Sequence, residues 1–301
     1  MTNFSSRQYR KFLFAGGAAI GFGAMPIIAQ AGAISPYAYA SNQITNLIFT
    51  SGGSPLSASA GNTSGGETVS DSSQYGNYPS ASDQGSASID GAVSLTQAYS
   101  GPGPAPAATY SAVGMGNFTG TRSDAAIGAE TATGSSVSNV AEASGNLLGN
   151  STATNNATIN FAYVGTGNDL TLAFTDAIAL AASTSGMSPG SLATATIQDV
   201  FTITGTNGDS AVYSPFGTAG EQGVGSSNGV GSSPISMTTS YSYTTPFALA
   251  EGIVYTISLS SQASDSIVPG MPVPEPGSLI ILGTGLIGLG CVIRRKRARQ
   301  V

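Results

Sequence analysis

Any chemistry in this 301-residue chain must come from carboxylates, hydroxyls and amides, because it contains no His and only one Cys. Without an imidazole, Ser–His and Cys–His catalysis are excluded, and so is every His-containing metal site. A single Cys also excludes an internal disulfide and any Cys₂ or Cys₄ zinc site. What remains is two-carboxylate chemistry of the kind that cleaves glycosidic bonds, where one group protonates the leaving oxygen and the other attacks or activates water. Glu130, Glu142, Asp169, Asp176 and Asp199 are candidates, and nothing in their spacing selects a pair. Tyr75, Tyr78, Tyr241 and Tyr243 could stack on sugars, although Tyr is ordinary on an exposed strand and the chain has no Trp. Gly165–Asp169 and Gly205–Asp209 are Gly/Asn/Asp clusters of the kind that bind Ca²⁺. Neither has the Asp-x-Asp-x-Asp spacing of a known Ca²⁺ loop, so both read as turns and no metal ligand is assigned. No Gly-rich loop precedes a Lys and a helix, so no nucleotide or other cofactor is implied. Asn62, Asn117, Asn150 and Asn156 head N-x-S/T triplets, which are expected by chance in a chain this rich in Ser and Thr. The Ser/Thr-rich loops could carry O-linked glycan instead.

The elements that must position these groups read as strands. Apolar residues alternate with polar ones at Ile159, Phe161 and Tyr163, at Leu170, Leu172 and Phe174, at Phe201 and Ile203, and at Ile253, Tyr255, Ile257 and Leu259. A period of two with Ile, Val, Phe, Tyr and Thr is the signal of a half-buried strand. Residues 43–50 add another. Gly165–Asp169 lies in a short gap between two strands and reads as a hairpin. Gly205–Asp209 reads as a second, with Asn207-Gly208 supplying the two positive φ angles of a type I′ turn. Residues 51–88 and 217–235 carry few large apolar groups and read as long loops, and residues 101–106 alternate Gly, Pro and Ala as a stiff connector. No fixed-period repeat is present. The expectation is an all-β fold, an antiparallel β-sandwich-like ectodomain with long Gly/Ser-rich loops, in one domain spanning 34–270.

Charge divides the chain into three parts. Charged residues make up 8% of it, against ~25% in an ordinary soluble domain. All the acids lie between Glu67 and Glu275, while eight of the nine bases lie near the ends and only Arg122 stands between. Residues 34–270 therefore carry a net −13 although the whole chain shows −6. Such a body repels nucleic acid and anionic lipid headgroups, which removes nucleic acid as a partner. It suits divalent cations or an external, polymer-rich medium, and the repulsion also keeps a sparsely charged body dispersed.

Residues 1–33 have the layout of a secretory signal peptide with a signal helix. Arg7, Arg10 and Lys11 form the positive start, Phe12 to Ile28 is uncharged, and Ala31 and Ala33 each close an A-x-A cleavage site. At the other end, residues 271–301, Pro274-Glu275-Pro276 precedes an uncharged apolar run from Leu279 to Ile293. Then comes a basic cluster of Arg294, Arg295, Lys296, Arg297 and Arg299. The run is at the short limit for a transmembrane helix, which needs ~17–25 residues, and the basic cluster would hold its end in the cytoplasm. Cys291 is a small apolar residue of that run. The two prolines fix φ and remove two backbone donors, so the motif should stand as an extended strap presenting the one carboxylate of Glu275.

This tail resembles the PEP-CTERM sorting signal, which joins a Pro-Glu-Pro motif, a short hydrophobic helix and a terminal Arg-rich cluster. The resemblance covers about thirty residues. It implies that an exosortase, a membrane-embedded transpeptidase-like protease, recognises Pro274, Glu275 and Pro276. It also implies a precursor anchored in the inner membrane, processed near the motif and delivered to the cell surface or outside. The family occurs in Gram-negative bacteria that make exopolysaccharide. The expected function is that of a non-enzymatic exported surface or matrix protein linked to exopolysaccharide or biofilm organisation. Two other readings stay open at the level of sequence: an extracellular carbohydrate-active enzyme and a Ca²⁺-dependent adhesin.

Overall fold

The computed structural model describes residues 36–56, 66–88, 94–102, 116–126, 135–145, 150–184, 190–217, 220–228, 230–231 and 233–270. The signal peptide with its Ala31 and Ala33 sites lies outside these residues. So do Pro274, Glu275, Pro276, the apolar run and the basic cluster. Among the described residues no helix is long and apolar enough to cross a membrane.

The body is all-β, and every strand pair in it is antiparallel. The strands in chain order are β1 (Tyr37–Ser51), β2 (Ser54–Pro55), β3 (Gly66–Gln74), β4 (Ala81–Ser88), β5 (Ser94–Ser100), β6 (Phe118–Ala126), β7 (Ser136–Ser144) and β8 (Ser151–Val164). They continue with β9 (Asp169–Ser183), β10 (Leu192–Gly205), β11 (Ser210–Tyr213), β12 (Glu221–Ser227), β13 (Val230–Gly231), β14 (Ile235–Ala248) and β15 (Val254–Val268). One sheet runs β14-β9-β1-β7-β6-β5, with β2 paired to β1. The other runs β13-β12-β10-β15-β8-β3-β4, with β11 paired to β10. Their inner faces share a core. Ile44, Leu172 and Phe174 of the first sheet cluster with Ile159, Phe201, Ile257 and Leu259 of the second. Each such side chain contributes ~1.5–3 kcal/mol when fully buried.

The alternation at Leu170, Leu172 and Phe174, at Phe201 and Ile203, and at Tyr255, Ile257 and Leu259 marks the inner face as expected, for all are buried. In β1 the period of two breaks after Ile44. A bulge between Thr45 and Ile48, with Asn46 at φ 54°, inserts one residue against β9. That restores Leu47 and Phe49 to the core.

Four local expectations need correction. Residues 51–88 contain β2, β3 and β4. Of the described side chains in these strands, Val69 is the only large apolar one in the core, so alternation gives no signal. Residues 217–235 likewise contain β12 and β13. The Gly165–Asp169 turn is not a hairpin, because β8 and β9 belong to different sheets. Its backbone bonds to the β14–β15 connection, as Gly165 N–H donates to Ile253 O at 2.8 Å and Gly167 N–H to Leu249 O at 2.8 Å. Leu249 N–H returns a bond to Asn168 O at 2.9 Å. Two chain crossings between the sheets thus lock together. Gly205–Asp209 is a hairpin joining β10 to β11, but not of type I′. Gly208 alone takes positive φ, at 95°, and its N–H donates to Gly205 O at 3.0 Å. The turn is therefore the type I form closed by a left-handed Gly.

Candidate functional site

Seven of the strands carry Asp, Asn or Ser at an inward position, six of them between apolar residues. In β1, Asn42 stands between Ala40 and Ile44, and in β9 Asp176 stands between Phe174 and Ile178. In β7, Asn139 lies between Val137 and Ala141. In the second sheet the same holds for Asp199 in β10, Ser261 in β15 and Asn155 in β8, while Asp71 in β3 has Val69 on one side and Ser73 on the other. All seven are at most 3% exposed. Register aligns them across five strand pairs, with a step of two residues where Asp176 stands opposite Ile44 and Asn155 opposite Ala263. Asn42 pairs with Asn139, Asn139 with Ser123 of β6, and Ser123 with Thr96 of β5. Across the core, Asp199 pairs with Ser261 and Asp71 with Asn155. The result is a polar belt running across both sheets. On one side lies a cluster of large side chains around Phe49, Phe174 and Phe201, and on the other a cluster dominated by Ala.

The belt stitches the sheets together. Asn42 Nδ2 donates to Asp199 Oδ1 at 2.8 Å and to Ser261 Oγ at 2.6 Å. Asn139 Nδ2 donates to Ser261 Oγ at 2.9 Å. Asn155 Nδ2 donates to the carbonyls of Arg122 at 3.0 Å and Val140 at 2.7 Å, and its Oδ1 accepts from Ala263 N–H at 2.8 Å. At the far end Asp71 accepts from Thr96 Oγ1 and from Ser123 Oγ, the latter at 3.0 Å.

Of the five candidate acids, the fold brings two together. Asp176 and Asp199, on opposite sheets, lie close enough to perturb one another. Burial, and then the charge of Asp199, push Asp176 well above the carboxylate range. Burial also raises Asp199, against the opposing hydrogen bonds from Ser261, Asp176 and Asn42. Glu142 is buried in β7 and Asp169 is exposed at the start of β9, while Glu130 lies outside the described residues. Burial, followed by the Glu142 charge, raises a further acid, Asp265. Asp71 is raised by burial, although Thr96 and Ser123 partly offset it. Sequence reasoning missed the belt. Its signal was a polar residue breaking each inward apolar series at a fixed register, which shows only once the strand pairing is known.

The tyrosines divide. Tyr75 is fully buried and Tyr78 is exposed beside it, with ring centroids 5.9 Å apart. Tyr241 and Tyr243 are half-buried on β14. Tyr241 stacks on Phe174 at 5.3 Å and Tyr243 on Tyr213 at 4.6 Å, so one face of each ring is already occupied. Asn117 and Asn150 are exposed, Asn156 is half-buried and accepts from Ser260 Oγ at 3.1 Å, and Asn62 lies outside the described residues. Among the described residues no three of His, Cys, Asp or Glu group together for a metal.

An acidic all-β body carried ahead of a sorting tail defines the class: an exported protein with a C-terminal processing signal. Residues 272–297 match the PEP-CTERM protein-sorting motif. The chain thus carries the signal of an exosortase substrate, exported and held at the membrane as a precursor before processing. The match covers the tail and leaves the body unassigned. No curated protein and no solved structure matches the chain.

Proposed function

We propose that this protein is a non-enzymatic surface or matrix component whose body is freed from its anchor by an exosortase and then contacts exopolysaccharide. The sorting motif at 272–297 carries the reading. In this reading the chain divides into a signal peptide over 1–33, the acidic body over 34–270 and the sorting tail over 271–301. A glycosidase needs its carboxylates open to a sugar, whereas Asp176 and Asp199 lie between the sheets at 2% and 0% exposure. That supports a binding body over an enzyme.

The outward face of the β10-β15-β8-β3 sheet supports contact with a neutral polymer. Register places Gln198, Gln262, Asn156 and Ser70 in one outward row, with Thr196, Ser264, Thr154 and Ser72 in the next. These rows carry no charge. They offer hydroxyl and amide groups that match a polyol by many weak hydrogen bonds, each of modest net value.

The sorting reading is tested at Glu275. It is the only charge between Asp265 and Arg294. Glu275→Ala should still cross the inner membrane, because the export signal is untouched. It should keep its tail, and so stay membrane-bound and larger by roughly the mass of the apolar run and basic cluster. The comparison is made in a host with an exosortase and in the same host without it. Equal processing of the parent in both hosts would mean that the tail is only an anchor.

A further inference from the structure

Both ends of the body leave from one pole of the two-sheet stack. β1 starts there at Tyr37, and Gly145 N–H donates to Pro36 O at 3.2 Å. β15 ends there at Val268, and Gly270 N–H donates to Ser191 Oγ at 3.0 Å. Register places Tyr37 opposite Ser144 and Ser183, and Val268 opposite Leu192. Ala38, Ala143, Ala193 and Ile267 of the two sheets then meet in one core cluster, so the pole is shared. Further bonds close it into a fixed surface. Asn228 N–H donates to Ser191 O at 3.1 Å, Gly76 N–H to Ser151 Oγ at 3.0 Å and Thr184 N–H to Ser226 Oγ at 3.0 Å. Charge distinguishes the two poles. The stretches that join strand ends here, 75–80, 101–117, 145–150, 184–191 and 228–234, contain no Asp, Glu, Lys or Arg. At the opposite pole Asp169 and Glu251 are exposed and Asp209 is half-buried. Exposed apolar side chains occur at both, Tyr78 and Leu192 here and Ile48 and Val254 there, so apolarity does not set the poles apart.

The length of the tail fixes which pole can meet a membrane. Met271, Pro272 and Val273 alone separate Gly270 from Pro274, and Leu279 opens the apolar run. The nine peptide steps from Gly270 to Leu279 reach at most ~30 Å. β15 alone has 15 residues and is ~50 Å long. A tether shorter than the body cannot bring the far pole to the surface that holds the tail. Resting on the anchored precursor of the proposed function, we infer that the charge-free pole is a docking surface for phospholipid, on which the body stands at the exported face of the inner membrane until its tail is cut. The contact is with headgroups and involves no insertion. Hydroxyls, amides and backbone groups at this pole can exchange hydrogen bonds with headgroups, and Tyr78 has the amphipathic ring that suits a membrane interface. The acids are placed to match. Carboxylates feel an anionic leaflet only within about a Debye length, ~8 Å at physiological salt. Among the described residues the nearest exposed acid is Asp83, level with Asp71 in the belt and ~13 Å in from the pole along β8. The far pole lies ~40 Å away along β10. A body of net −13 thus meets the membrane through an uncharged end. Such contact is weak once the tail is gone, which lets processing release the body.

The test uses the full chain, purified in detergent from a host without an exosortase, with Cys291→Ser and one new Cys at a time. Leu192→Cys and Tyr78→Cys place a fluorophore at the charge-free pole, and Thr206→Cys places it at the far pole, all at exposed positions. Each is reconstituted into phosphatidylcholine vesicles with and without a lipid that carries a nitroxide on its headgroup. Flotation and quenching are then measured. The Leu192 and Tyr78 probes should each be quenched at least ~threefold more than the Thr206 probe, since ~40 Å of strand separates the poles. Adding anionic lipid should leave that pattern unchanged. Asn77→Glu combined with Ser80→Glu, both exposed at this pole, should then lower quenching at Leu192 roughly twofold or more. A chain that does not float with the vesicles overturns the anchored precursor, and the docking surface with it. A chain that floats but is quenched equally at both poles, or more at Thr206, overturns the docking surface alone. So does a double variant quenched like its parent on anionic lipid. Probes at Leu192 and Tyr78 that are shielded from an aqueous quencher yet not reached by the nitroxide lipid overturn it too, by showing that this pole meets protein instead.

Discussion

Asn42 is the side chain through which the buried charge of the belt is held. Its amide reaches Asp199 and Ser261 on the opposite sheet, so it ties two sheets and solvates a carboxylate with one group. Asn42→Leu keeps the volume and removes both bonds. At pH 8 this should cost ~3–5 kcal/mol, because Asp199 is left buried without its amide. Adding Asp199→Leu should recover much of that loss, since removing both partners is far cheaper than stranding one. Urea midpoints of the two variants check this. A single variant within ~0.5 kcal/mol of the parent would show that the amide does not support the carboxylate.

At the scale of elements, the interlock of residues 165–168 with the β14–β15 connection decides how the sheets join. Gly165 has no room for a side chain: a Cβ there would run into the carbonyl oxygens of Ala250 and Leu249. Its N–H and C=O are both used, by Ile253 and Gly252. Gly165→Ala should therefore destabilise the body by ~1–3 kcal/mol through overpacking against backbone that cannot yield. Gly167→Ala at the neighbouring position meets nothing within 4 Å and pays only for its φ of 80°. Thermal melts of the two variants should rank Gly165→Ala as the worse. The reverse order would mean that backbone conformation, and not the close approach, dominates this crossing.

For the whole molecule, the buried acids set an unusual pH dependence. Asp71, Asp176, Asp199 and Asp265 all have folded-state values raised above the ordinary 3.8, with burial as the leading cause. A raised carboxyl binds more protons folded than unfolded, so the slope of stability against pH is negative through the window between the two values. Asp176 is pushed up to about 9, which extends that window from roughly 4 to 9. The −13 charge of the body adds self-repulsion in the same direction. The melting temperature should fall steadily from pH 4.5 to pH 9. A rise over that range would contradict buried, protonated acids.

The sequence by itself determined the address of this protein and the class of its fold. Short-range signals are enough for both. The sorting tail is read in order along the chain, and alternation at Leu170–Phe174 and Tyr255–Leu259 reports an inner face without knowledge of any partner. Strands β3 and β4 escaped that reading because small and polar residues dominate both faces, so β3 is held by pairing with β8, and β4 by pairing with β3, and not by an apolar stripe of their own. The linker at Gly165–Asp169 looked like a hairpin because local spacing cannot tell whether two strands pair or part between sheets. Tertiary structure alone decided the belt. Asp176 and Asp199 are 23 positions apart, and Asn42 is 219 positions from Ser261. Only the register of five strand pairs in two sheets brings their polar groups near one level, because hydrogen-bonded ladders fix which residues stand opposite one another and a single chain segment does not.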